Sequence, residues 1–312
     1  MAAPLHSIIV PVYCSQDILE RLVERVSAAM DKAQLRFELV LVDDGSQDGS
    51  FVEIKRLSNL HSFIRGFRLS RNFGHQAAVT IGLRKSKGAF VAIIDDDLQD
   101  PPETLPKFFE AVYAEADVAY GVRLKRKEGI VKRFLFRAFY RTLSWFSDIH
   151  IPLDTGDFCA MSRPVVNAML ELEEANPFLR GIRAWAGFRQ VGIEYERDAR
   201  FQGESGYTFR KYIQLAMTGI LSFSYLPLRL ATYTGIAAAI FAIGFAGYVI
   251  INLFLGNFEV PGYASLIFLV SFLGAMQLIF MGVMGTYLAR LYDVSKRWPI
   301  AFVAETTKQE EL

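Results

Sequence analysis

Up to Val122 the chain alternates short apolar runs with stretches whose apolar residues recur at helical spacing. Ser7 to Tyr13 is apolar and β-rich, and Asp17 to Lys32 follows with Ile18, Leu19, Leu22, Val23, Val26 and Met30 on one helical stripe. Phe37 to Val42 is the next strand and Ser50 to Leu60 its helix. Ile64 to Leu69 is a third strand, followed by a helix over Ala77 to Leu83. Phe90 to Ile94 and Asp117 to Val122 complete the series. Strands and helices alternating through such short loops predict an α/β domain on an open, mostly parallel, doubly wound sheet, where ligands bind beyond the carboxyl ends of the strands. Asp43, Asp44, Arg71, Asn72, Asp95 and Asp97 fall at such ends, so the spacing alone gathers them into one crevice.

Beyond the fifth strand the pattern changes. Lys132 to Phe146 carries Arg133, Arg137 and Arg141 four apart among Phe134, Phe136, Phe139, Tyr140, Leu143 and Phe146. This is a basic amphipathic helix of the kind that lies among lipid headgroups, although a helix packed on the sheet could share the spacing. Asp154 to Arg163 has two acids around a glycine and no helical period, and reads either as a return of the chain to the crevice or as a turn. Pro164 to Glu174 is predicted helical and Val191 to Arg197 extended. Asp198 to Thr208 is a polar, glycine-bearing loop whose notable cation is Arg200. A second amphipathic helix spans Tyr207 to Phe223.

No charged residue occurs from Leu230 to Phe258 or from Val260 to Ala289, and each run exceeds the roughly 20 residues that cross a bilayer. Arg229 precedes the first run; Arg290, Lys296 and Arg297 follow the second. The positive-inside rule then puts the catalytic domain and both termini in the cytoplasm. Gly282 and Gly285 would allow close helix packing, which points to a homo-oligomer. The expected division is a catalytic domain over 1–205 that includes an interfacial helix at 132–147, a juxtamembrane helix over 206–228, transmembrane helices at 230–256 and 263–289 within 229–290, and a tail over 291–312.

Composition narrows the function classes. Lys and Arg total 34 against 33 for Asp and Glu, so no global charge draws the chain to nucleic acid. Cys14 and Cys159 have neither a metal-ligand spacing nor a disulfide framework, and both are expected reduced in a cytosol-facing domain. The opening MAAPLHSIIVPVY lacks the pattern of a signal peptide, so the first domain is not expected to be exported. No GxGxxG follows the first strand and no Walker A sequence occurs. A domain that handles nucleotides without a glycine cradle must neutralise phosphate otherwise.

The stretch FVAIIDDDLQDPP, Phe90 to Pro102, offers the means. A strand buried on both faces breaks out into three carboxylates. Extended alternation would point Asp95 and Asp97 one way and Asp96 the other, with Gln99 continuing the first face. Two crowded carboxylates favour a hard divalent cation, Mg2+ or Mn2+, that also bridges to substrate phosphates. The plainer reading, an acidic helix start, accounts for Asp100 and Glu103 beside the two prolines but not for the triplet.

Taken together, IIVPVY, VLVDDGS, LSRNFGHQAAVTIGL, IDDDLQDPPE, YGVR, GDFCAMSR and RFQGES, followed by two spans, resemble the polyprenyl-phosphate glycosyltransferases of glycosyltransferase family 2, above all the bactoprenol glucosyltransferases and more distantly dolichyl-phosphate mannose synthase. The resemblance covers essentially the whole chain. It implies a GT-A fold in a bacterial inner (plasma) membrane protein, and inverting transfer of a sugar from a nucleotide-sugar, glucose from UDP-glucose by preference, to undecaprenyl (polyprenyl) phosphate. It implies that Pro11, Tyr13, Asp43 and Asp44 hold base and ribose, that Arg71, Asn72 and Asp96 lie near the donor, and that Asp95, Asp97 and Gln99 surround the divalent ion and diphosphate. Arg123, Arg133 and Arg200, with Ser205 nearby, become the groups that grip the acceptor phosphate, and Asp157 a base or acceptor orienter. The sequence departs from the pattern at Cys14 and Ser15, where an Asn-Glu pair is common, and at Gly206, where many members carry Lys.

Two rivals share parts of this pattern. A processive polysaccharide synthase has the same fold and acids, but needs more spans and a QxxRW motif, which is absent. A non-catalytic membrane scaffold or flippase partner would use the spans alone and leave the acids without a purpose.

Overall fold

The computed structural model describes residues 5–114, 116–123, 155–172, 179–196, 226–255 and 262–307. These fall into two compact units, one made by the described residues up to 196 together with 297–307, the other by those within 226–296. The expected interfacial helices at 132–147 and 207–223, and with them Arg133, Arg200 and Ser205, lie outside the described residues.

In the first unit, strands β1 (His6–Val12), β2 (Phe37–Asp43), β3 (Ile64–Leu69), β4 (Phe90–Ile93), β5 (Val118–Arg123), β6 (Thr155–Ser162), β7 (Gln190–Tyr195) and β8 (Val303–Thr306) form one sheet in the order β7-β5-β6-β4-β1-β2-β3-β8. β1 pairs in parallel with β2 and β4, β2 with β3, and β5 with β7. Helices α1 (Leu19–Lys32), α2 (Ser50–Leu60) and α3 (His75–Lys85) each follow a strand, as the periodicity predicts, and α4 (Leu105–Ala114) joins β4 to β5.

Alternation along the strands feeds two cores. Ile8, Val10, Leu39, Leu41 and Ala92 pack with α1, α2 and α4 through Leu22, Ile54 and Phe108. Ile9, Val40, Val42, Val91 and Ile93 enter the opposite layer with Ala78 and Val79 of α3. Each strand is therefore apolar at consecutive positions, the mark of a sheet covered on both sides.

Of the stretch read as a return to the crevice or as a turn, Thr155–Ser162 is strand β6, antiparallel to β4 and to β5 and lying between them, so the chain does return to the crevice and the turn reading is overturned. Phe158 and Ala160 enter one core, Cys159 and Met161 the other. Burial on both faces removes the polar-apolar alternation that would have identified the strand. Helices α5 (Arg163–Glu171) and α6 (Leu179–Trp185) follow, the second unpredicted. β8 is unpredicted too and pairs antiparallel with β3 at the sheet's edge.

The second unit holds α7 (Leu226–Phe254) and α8 (Tyr263–Ser295). Leu230–Asn252 and Leu269–Ser295, of 23 and 27 residues, are long and apolar enough to cross a membrane, and neither is buried in protein. Ile236, Ile240, Phe241 and Ile243 stand exposed along α7. An apolar surface this continuous requires a non-aqueous partner.

Candidate active site

The parallel strands β1, β2, β3 and β4 end along one edge of the sheet, and their carboxyl-terminal loops carry the predicted residues. Pro11 is buried within β1 opposite Val42, while Tyr13, just past the strand, exposes its ring. Cys14 follows with φ of 54°, a left-handed turn that directs its N–H to Ser46 Oγ at 2.9 Å.

At the end of β2 the two aspartates divide their work. Asp43 Oδ1 accepts the Ser46 N–H at 3.1 Å, and Asp43 Oδ2 faces Arg68 Nε at 3.4 Å. Burial pushes its carboxyl up, against the Ser46 hydrogen bonds and the Arg68 charge. Asp44 accepts the N–H groups of Phe73 at 2.7 Å and Gly74 at 2.9 Å, so its carboxylate holds the loop that carries Arg71 and Asn72. Gly45 makes this close approach possible. Its φ is +66°, and a Cβ there would lie 2.4 Å from the Arg71 carbonyl carbon.

The acidic stretch behaves as predicted only in part. Extended backbone stops short of the triplet, and Asp96 and Asp97 lie in a turn before Leu98, whose φ is 56°. Alternation therefore separates Asp95 from Asp96 but does not run on to Asp97 or Gln99. Asp96 turns toward β1, where it accepts Ser15 Oγ–H at 2.6 Å and the Tyr13 N–H at 3.2 Å. Burial raises its pKa to about 6 against these hydrogen bonds. Asp97 Oδ1 accepts the Gln99 N–H at 3.1 Å and so closes the turn.

Asp95 faces α3, with His75 Nε2 at 3.0 Å from its Oδ1. Antiparallel pairing of β6 with β4, in which Cys159 lies opposite Ile93, brings Asp157 to the same place. Asp157 is heavily engaged there. Arg180 donates from Nε to Oδ1 at 2.8 Å and from Nη2 to Oδ2 at 3.2 Å, Gln76 Nε2 donates to Oδ2 at 3.1 Å, and His75 Nδ1 lies 3.8 Å away. Burial would raise its pKa, but the Arg180 charge and hydrogen bonds, with His75 and Arg183, hold it well below the usual carboxylate range. So acidic a group orients a partner and is a poor proton acceptor at neutral pH. For His75, burial opposes the charged form, yet the hydrogen bond to Asp95 and the charges of Asp95, Asp157 and Asp96 raise its pKa to about 9.

Arg123 ends β5 beside Gly156, at which an added Cβ would meet its Nη2 at 3.2 Å. Its Nε donates to Tyr195 Oη at 3.3 Å, and Tyr195 donates to the buried Asp100 at 2.6 Å. Sequence reasoning missed His75, Gln76, Arg180 and Tyr195 as site residues. His75 and Gln76 lie in a recognisable stretch at the start of α3, but Arg180 reaches the crevice from a helix that periodicity did not reveal.

No three His, Cys, Asp or Glu side chains among the described residues are grouped to hold a metal unaided. Asp95 and Asp97, both part-exposed, supply carboxylate oxygens of the kind that a hard cation takes together with phosphate oxygens and water. The chemistry of the donor set therefore fits a divalent ion held jointly with a diphosphate.

Comparison with known proteins matches residues 7–170 to Glycosyl transferase family 2. An uncharacterized glycosyltransferase of Bacillus subtilis (strain 168) is 40% identical over 305 residues, covering 96% of this chain and 94% of that protein. A bactoprenol glucosyl transferase of Shigella phage SfV is 34% identical over 305 residues, covering 97% and 99%. Among solved structures, glucosyl-3-phosphoglycerate synthase from Mycobacterium tuberculosis, in complex with Mn2+, UDP and glucosyl-3-phosphoglycerate, aligns at 18% identity over 70% of this chain and 78% of that one, with a TM-score of 0.49.

Proposed function

Because the chain belongs to glycosyl transferase family 2, we propose that its crevice transfers a sugar, glucose from UDP-glucose in the first instance, to the phosphate of a membrane polyprenol such as undecaprenyl phosphate. The observation that carries this reading is the joining of an acidic crevice at the strand ends to two apolar helices of membrane-crossing length in one chain. Full-length likeness to proteins named bactoprenol glucosyl transferase supports it.

In this reading Tyr13 and the loops at Asp43 and Arg71 receive the nucleoside, and Asp95, Asp97 and Gln99 would hold Mg2+ or Mn2+. When bound, that ion offsets the charge of the departing nucleoside diphosphate. His75 Nε2 lies 3.0 Å from Asp95 Oδ1 and orients that carboxylate. The acceptor is a phosphate monoester, already anionic, so it needs positioning more than deprotonation. Arg123, Arg133, Arg200 and Ser205 are assigned that grip, and Asp157 holds Arg180, Gln76 and His75 in fixed orientation.

Sidedness follows the same reading. β3 precedes both long helices and β8 follows them, yet the two pair in one sheet, which supports an even number of crossings and one face for both flanks. The positive flanks make that face cytoplasmic, in a bacterial inner membrane. Added Cβ atoms at Gly282 and Gly285 meet nothing within 4 Å, which leaves α8 free to pack closely on further copies of the chain as a homo-oligomer.

Purified protein incubated with undecaprenyl phosphate and a panel of radiolabelled nucleotide-sugars, with and without chelator, tests donor, acceptor and metal together. Lipid-linked glucose formed from UDP-glucose only without chelator is the expected result. No product from any donor would overturn the reading.

A further inference from the structure

Strand β8 does more than cover an edge. Its Glu305 lies directly opposite Arg68 of β3, and the register shifts immediately after that pair. Glu305 Oε1 accepts from Arg68 Nη1 at 3.0 Å, and its other oxygen accepts from Lys55 at 2.7 Å. Arg68 then reaches the loop after β2. Its Nη2 donates to the Ser46 carbonyl at 3.2 Å and its Nε lies 3.4 Å from Asp43 Oδ2. That oxygen is fully buried and accepts no hydrogen bond, so Arg68 is its near countercharge. Ser46 in turn donates its N–H to Asp43 and accepts the Cys14 N–H on its hydroxyl.

A continuous chain of polar contacts thus runs from the segment after α8, through Arg68, to both loops that flank Tyr13. The strand is firmly seated. Thr307 N–H donates to the Gly66 carbonyl at 3.0 Å, its hydroxyl accepts from Gly66 N–H and Ser58 Oγ at 2.9 Å each, and Ser70 N–H donates to the Phe302 carbonyl at 2.9 Å. Residue 66 must be glycine for this seating, since a Cβ there would meet Ile54 at 2.3 Å and Thr307 at 2.7 Å.

Edge protection alone would explain the pairing. It does not explain why the one acid of β8 that opposes β3 holds the arginine that holds Asp43. We infer that Glu305 is a positioning residue for nucleotide binding, acting through Arg68 on the Asp43–Ser46 loop, so that the segment following the membrane helices tunes the affinity of the donor site. This rests on the reading of Asp43 as part of the nucleoside pocket.

The test is binding of UDP, with GDP in parallel, to the full-length protein in the presence of Mn2+, together with donor KM and kcat. Glu305→Gln is expected to weaken UDP binding about three- to tenfold and to raise donor KM alike, with kcat changed less than about twofold. Arg68→Gln should weaken binding at least as much, and adding Glu305→Gln to it should change nothing further. Lys55→Gln breaks the other ion pair of Glu305, which does not reach the loop, and should leave binding as in the wild type. Equal affinity in wild type and Glu305→Gln overturns the inference, and so does an equal loss in Lys55→Gln, which would reduce the effect to strand docking. Wild-type protein that binds neither nucleotide sinks the functional reading itself, a different and recognisable result.

Discussion

Arg180 holds both oxygens of Asp157, at 2.8 and 3.2 Å, although the two residues come from a helix and a strand on separate sides of an undescribed segment. The carboxylate is almost wholly buried, so the pair stands or falls together. Removing the guanidinium alone leaves a buried charge answered by Gln76, His75 and the more distant Arg183. Arg180→Met is expected to cost about 3 kcal/mol of stability, and the double variant with Asp157→Asn less than the sum of the two singles. Thermal or denaturant unfolding of the four proteins measures both.

The same pair sets a pH dependence. Asp157 has a folded pKa below its unfolded value, so its contribution to stability is complete above about pH 4 and is lost as pH falls through the folded pKa. Wild-type melting temperature should therefore drop on acidification below that point more steeply than that of Asp157→Asn. Parallel acid limbs in the two proteins would contradict the assignment.

Asp97→Asn should abolish the metal dependence of turnover along with most of the turnover. Its Oδ1 also closes the turn onto the Gln99 N–H, which the amide oxygen can still accept, so folding should survive. A loss of at least about a hundredfold in kcat, with an unchanged melting temperature, is the expected outcome. Chelator should reproduce the loss in the wild type, and added Mg2+ or Mn2+ reverse it.

Asp44→Ala would strand the backbone N–H groups of Phe73 and Gly74. The expected cost is about 1–3 kcal/mol, with a rise in donor KM as the loop carrying Arg71 and Asn72 loosens. Asp44→Asn, which keeps an acceptor oxygen, should recover part of both.

Gly45→Ala attacks the same junction from the other side. A Cβ on a backbone at φ +66°, 2.4 Å from a main-chain carbon, forces the two loops apart. More than about 1 kcal/mol should be lost, read as a lower unfolding midpoint, with no gain in any other contact.

The sequence carried the parallel half of the sheet well, because strands such as Ile8 to Val12 and Val40 to Val42 are apolar at every position and each is followed by an amphipathic helix. It carried the two long apolar helices for a similar reason, uninterrupted apolar length. It did not carry β6, whose TGDFCAMS reads as a loop because small and polar residues interrupt a strand buried on both faces. Nor did it carry α6 or β8, too short for periodicity. The site divides along the same line. Asp43, Asp95 and Asp97 are legible as acids at strand ends, whereas Arg180 joins Asp157 through the tertiary fold, and the turn at Asp96 rests on Leu98 adopting a left-handed backbone that leucine seldom takes.

Because β8 follows both long helices in the chain, the ribosome delivers it after them. During synthesis the β3 edge must wait with its N–H and C=O groups unpaired until both long helices have been made, a window in which strands of neighbouring nascent chains can add to it. The covalent order of the chain thereby leaves the closing of the sheet's last edge to the final stretch of polypeptide.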